Sequence, residues 1–150
     1  GSSLVGSEMC IRDSNLAVPT DSDNANPQQA LTDYLIRIAK NAREEPHQMS
    51  LLIRELLDNQ ERADIVQSWY LGSFLKELIQ MLKAINDWAD APDHVALATI
   101  MQFLGAINYY AVSGPTLKGI FGNDVYSALD DQFDDQLEQL ILAAISSRAS

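Results

Sequence analysis

Near the C-terminal end five carboxylates, Asp130, Asp131, Asp134, Asp135 and Glu138, recur at helical three- and four-residue spacing. On one helix surface that spacing gathers negative charge capable of attracting calcium. The ligand order and the glycine of a calcium loop are missing, however, and acids in the first turns of a helix are favoured by its dipole without any metal. A solvated acidic face is therefore expected. His47, beside Pro46, and His94 each stand without a second ligand three or four residues away, whereas a zinc site needs three or four convergent donors. No metal or cofactor is expected. Cys10 is the only cysteine, no Gly-x-Ser-x-Gly occurs, and no glycine-rich phosphate loop follows a strand pattern. No catalytic residue is assigned; a small helical enzyme or metal protein using the Asp cluster and His94 is a further alternative.

Ten basic residues against 21 acidic ones give a formal charge of −11, which repels phosphate backbones rather than gathering at them. The chain as it stands is not expected to hold DNA. Its 150 residues, 47% apolar, are ordinary for one globular domain, and a domain of that size buries about two-thirds of its unfolded surface without a disulfide or metal. The most apolar stretch, Leu97 to Val112, is interrupted by Gln102 and Asn108. It is short for a bilayer span and reads as a buried helix, so no membrane is expected. No basic leader followed by an apolar run is seen, and the default address is the cytoplasm.

Residues 1–25 mix Gly, Ser, Asp and Asn without helical or alternating period, and an extended or disordered leader is expected there. The run Leu4 to Ser14 resembles translated sequencing-adapter text found at the ends of genes assembled from environmental DNA, which would make it a scar. The folded domain is then 26–150. Asn26-Pro27 opens a helix, with Asn26 as cap and Pro27 at the first position, and Leu31, Tyr34, Leu35 and Ile38 give it one apolar stripe to about Ala42. Glu45-Pro46 breaks it, and Met49, Leu52, Ile53, Leu56 and Leu57 predict a second, shorter helix ending near Asn59. A third is expected from Glu61 to Trp88, and a fourth from Asp93 to Val112 with Asp93 as its cap. Ser113-Gly114-Pro115 should close the fourth, leaving Thr116 to Phe121 as a single turn, and a last helix follows Gly122. The expected architecture is all-α, an antiparallel bundle of five main helices plus that short turn.

The fourth helix is apolar on nearly every side, so one domain of this size can hardly cover it alone. Aromatic and Met residues at helical spacing are ordinarily core, and the sharper alternative is an apolar pocket between helices. By helix position such a pocket would be lined by Tyr34, Ile38, Trp69, Phe74, Met81 and Met101, with Asn108 as a hydrogen-bonding group.

The order and lengths of these helices resemble the C-terminal domain of TetR-like (tetracycline-repressor-type) transcriptional regulators. Two strings carry the match. Arg43 to Leu57 looks like the family's acidic-Pro turn and Leu-rich helix, and Phe103 to Gly122 like its small-residue helix, aromatic pair and Pro-Thr-Leu turn. The resemblance covers about residues 27–147. It implies a ligand-binding and dimerisation domain without catalysis, sensing a small hydrophobic or aromatic effector and coupling it to DNA release. The family's helix-turn-helix head is not found before Asn26, so the chain reads as truncated, and DNA would be reached only through that missing domain. The resemblance also implies a homodimer in which the last two long helices pack on their copies as a four-helix bundle. On the fourth helix the expected interface residues are Gln102, Phe103, Gly105, Ala106, Tyr109 and Tyr110; on the last they are Phe133, Leu137, Leu140, Ile141 and Ala144. A two-fold dimer is the expected assembly. The alternative is a free-standing helical module that takes up a partner's helix on the same apolar surface.

Overall fold

Asn26 does what its position predicts. Its side-chain oxygen accepts from the backbone N–H groups of Gln28 (3.0 Å) and Gln29 (3.3 Å), satisfying two donors that a helix start otherwise leaves open. The Gln29 side chain does not reach back to the cap; its Nε2 donates to Asp33 Oδ1 at 2.7 Å instead. In this computed structural model, residues 26–47, 50, 53, 54 and 60–148 are described, with the side chains of 60–71 excepted. The order is α1 (Pro27–Glu44), α2 (Gln60–Lys83), a 3-10 turn (Asn86–Trp88), α3 (Asp93–Phe121) and α4 (Asn123–Ser146), with no strand among the described residues. Most of the second expected helix, 46–58, lies outside the described residues, and among the described residues there are four long helices.

Each helix buries one set of apolar side chains, and on α1 it is the stripe that the spacing defines. On α1 this is Leu31, Tyr34, Leu35, Ile38, Ala39 and Ala42, all 6% exposed or less, with Thr32 also buried and its hydroxyl donating to the Gln28 carbonyl. Leu78 and Leu82 of α2, Ile100, Phe103, Leu104 and Ile107 of α3, and Leu137, Ile141 and Ile145 of α4 complete one continuous core. Packing is α1 on α2, α3 and α4, with α3 also against α2 and α4. Helices α1 and α3 each pack on the other three and form the centre of the bundle.

Two boundaries differ from the expectation. The third helix stops at Lys83 rather than running to Trp88: Ile85 is extended, and the short turn after it drives Trp88 inward. There the indole N–H donates to the Ile145 carbonyl at 3.0 Å, one of the four acceptors that the end of α4 leaves open. At the start of α3 the cap position is Pro92; Asp93 lies in the first turn and pairs with Lys83 (3.0 Å) rather than capping.

The larger correction concerns Ser113-Gly114-Pro115. The fourth helix does not end there but runs on through Pro115 to Phe121, a single α3 of 29 residues and about 44 Å. Proline lacks the N–H that would reach the Ala111 carbonyl, and its ring crowds the residue before it. That residue is Gly114, which has no Cβ to clash, and Pro115 itself is exposed. A Cβ on buried Gly114 would also lie 2.8 Å from Tyr126 Oη of α4. The glycine therefore serves the continuation of α3 and the close approach of α4 at once. The true turn is Gly122, the one described residue with positive φ (89°), which reverses the chain into α4.

Candidate association surface and the polar cluster behind it

From His94 to Leu117 the sequence contains no Lys, Arg, Asp or Glu, yet a full side of α3 faces outward over that length. Ala98, Met101, Gln102, Gly105, Tyr109 and Thr116 are exposed, at the three- to four-residue spacing that keeps them on one side. Met101 is 50% exposed and Tyr109 76%, and Ile120 and Phe121 extend the surface to the hairpin tip. Beside it, α4 turns out Val125, Gln132, Gln136, Leu140 and Ala143, also uncharged. Six turns of exposed helix without a charge are unusual in a chain where a fifth of the residues are charged. By length and composition alone α3 would also cross a bilayer, but the side bearing Ile100, Phe103, Leu104 and Ile107 is packed on the chain's own helices.

Of the residues expected at a dimer interface, the structure covers Phe103, Tyr110, Leu137 and Ile141 from within the same chain. Ala106, Phe133 and Ala144 are half-buried, and Gln102, Gly105, Tyr109 and Leu140 face outward. Among the expected pocket residues, Tyr34 and Ile38 are in the core, and Phe74 and Met81 pack against it. Met101 lies on the outer surface and half-buried Asn108 is displaced toward the same side of α3. The Trp69 side chain lies outside the described residues.

Behind the outer face sits a cluster that sequence reasoning missed. Arg43, near the end of α1, donates from both terminal nitrogens to Asp134 of α4 (2.9 and 2.7 Å), and its Nε lies 3.0 Å from Asp130 Oδ1. The solvated face that was expected of all five acids holds for Asp131 and Asp135, which are exposed, whereas Asp130 and Asp134, their side chains 39% and 20% exposed, turn onto the Arg43 side chain, itself 13% exposed. Tyr110 of α3 donates its hydroxyl to Asp130 at 2.8 Å and stacks on Phe133 of α4 with ring centroids 3.9 Å apart. Arg43 lies over both rings, at 5.7 and 5.5 Å, within cation–π range. Tyr126 stacks beyond Tyr110 at 6.4 Å, with Lys118 over its ring.

Burial works against the Arg43 charge, but the hydrogen bond to Asp134 and the two carboxylates outweigh it and hold the guanidinium above its ordinary pKa. Burial, and then the bond to Asp130, likewise push the Tyr110 phenol well above its usual value. The cluster is thus an ion-paired joint that ties α1 to α3 and α4. A signal for it was present in the spacing. Asp130 and Asp134 fall on the same side of α4 as Phe133, Leu137 and Ile141, and acids on an apolar stripe require a cation opposite them. Among the described residues no group of three or more His, Cys, Asp or Glu is arranged to hold a metal ion. No family model matches the sequence, and no curated protein or solved structure matches it either.

Proposed function

We propose that this chain is the ligand-binding and dimerisation domain of a TetR-like transcriptional regulator, a cytoplasmic, non-catalytic homodimer. The uncharged outer side of α3 carries the reading. A surface that exposes Met101 and Tyr109 over a charge-free stretch is costly to leave in water and is of the kind that marks an association site. Paired with the outer side of α4, it supplies the two helices that a four-helix interface between copies requires. In this reading a small hydrophobic or aromatic effector enters between α1, which carries Tyr34 and Ile38 into the core, and α2, whose Phe74 and Met81 pack against that core, and DNA is contacted by a helix-turn-helix head of the full-length protein.

Light scattering on the full chain across a tenfold concentration range tests the proposal. A mass near twice 16.6 kDa is expected, and Tyr109→Glu, which places a charge on the shared surface, should return it to that of one chain. A wild-type mass of one chain throughout would sink the dimer and leave the α3 surface to a partner's helix, the free-standing interaction module.

A further inference from the structure

Arg43 of α1 pairs with Asp130 and Asp134 of α4 and lies over the ring of Tyr110 of α3, and its position bears on how the outer surface is presented. Helix α4 carries six acids, Asp124, Asp130, Asp131, Asp134, Asp135 and Glu138, and no Lys or Arg. Two of them, Asp130 and Asp134, pair with Arg43. On a helix, residues two apart are separated by about 200°, so Asp130 and Asp134 lie nearly opposite Gln132 and Gln136 of the outer strip. Without Arg43, the two carboxylates, above all Asp134 with its side chain only 20% exposed, would be drawn further toward water. The roll of α4 that hydrates them would turn Val125, Gln136 and Leu140 inward, and it would break the 3.9 Å stack of Tyr110 on Phe133 that sets the α3–α4 contact. The same loss would leave more negative charge on a helix that has to approach its copy in a chain of net charge −11.

We propose that Arg43 is a positioning residue for self-association: clamped on Asp130 and Asp134, it fixes the rotation of α4 against α3 that presents their outer strips to a second copy. This rests on the reading of the chain as a homodimer and adds a residue of α1, outside the interface, that governs it. The arrangement makes the position of α1 and the strength of association mutually dependent, as linkage requires of any two coupled events.

The test measures the dimer dissociation constant of the full chain by sedimentation equilibrium, beside its thermal stability, for wild type, Arg43→Ala, Arg43→Lys and the uncharged triple variant Arg43→Met/Asp130→Asn/Asp134→Asn. Leu78→Val, in the core of α2 away from α4, is the control for lost stability alone. Arg43→Ala should weaken association at least tenfold, and Arg43→Lys, which keeps the charge but loses the two-pronged contact, by less. The triple variant should recover most of the loss because no carboxylate is left to be hydrated, while Leu78→Val lowers the melting temperature without changing the constant. If Arg43→Ala does not fold, the Arg43→Lys and triple variants decide the matter by the same comparison. A dimer unaffected by these changes, or weakened as much by Leu78→Val, overturns the role of Arg43 and leaves the homodimer standing. A wild-type chain that never associates overturns both.

Discussion

Gly114 shows most directly how one residue answers to two neighbours. Replacing a helical glycine by alanine ordinarily gains about 1 kcal/mol, but here the added Cβ would stand 2.8 Å from Tyr126 Oη and would restore the clash with Pro115. Strain should win. Gly114→Ala is expected to lower stability by about 1–2 kcal/mol in denaturant unfolding, and Gly114→Ala/Tyr126→Phe, which removes the obstructing oxygen, should recover about half of it. Equal losses in the single and double variants would show that the proline, not the tyrosine, sets the requirement. Such pairings were only half legible. That Asp130 and Asp134 share a side of a helix with Phe133 follows from their numbers, but that Arg43 meets them does not, because 91 residues separate Arg43 from Asp134 and no local rule spans that distance.

At the scale of elements, α3 is the informative case. Ser-Gly-Pro is ordinarily a stop, and its local chemistry argues for one; the helix continues because its inner side, from Ala96 to Gly114, is held against three other helices, and that packing outweighs the bond lost at Ala111. Pro115 is exposed, so it contributes no burial in return. Pro115→Ala is therefore expected to stabilise the chain by about 1–3 kcal/mol, read as a rise in melting temperature with the helical circular-dichroism signal unchanged or larger. A fall would mean that α3 needs a bend at this point. The starts and apolar stripes of the helices were legible in sequence because capping and the 3.6-residue period are local. The break between α2 and its short turn was not, since Trp88 leaves the helical path for a carbonyl on α4.

For the whole molecule, the balance lies between an uncharged outer face and a net charge of −11. Two copies meeting on that face lose apolar surface to each other while their charges repel. Added salt screens the repulsion and leaves the burial intact. Self-association of the full chain should therefore tighten, by about threefold or more between 50 and 500 mM sodium chloride, on the order set by the shortened screening length. A basic partner seated on the acidic edge of α4 would give the opposite trend, weakening with salt. Sedimentation across that series separates the two, and weakening of the homodimer itself would place ion pairs rather than apolar surface at its centre.

The amino-acid sequence alone was enough for the all-helical class, the cap at Asn26 and the inward stripe of α1. Those properties depend on neighbours within one or two turns, where spacing and side-chain chemistry act directly. Tertiary structure decided which apolar residues are already spent. It covers Phe103, Tyr110 and Ile141 from within, leaves Tyr109, Met101 and Leu140 outside, and turns two of five clustered acids onto Arg43. The rotation of each helix about its own axis settles these matters, and that rotation is set by contacts between residues far apart in the chain.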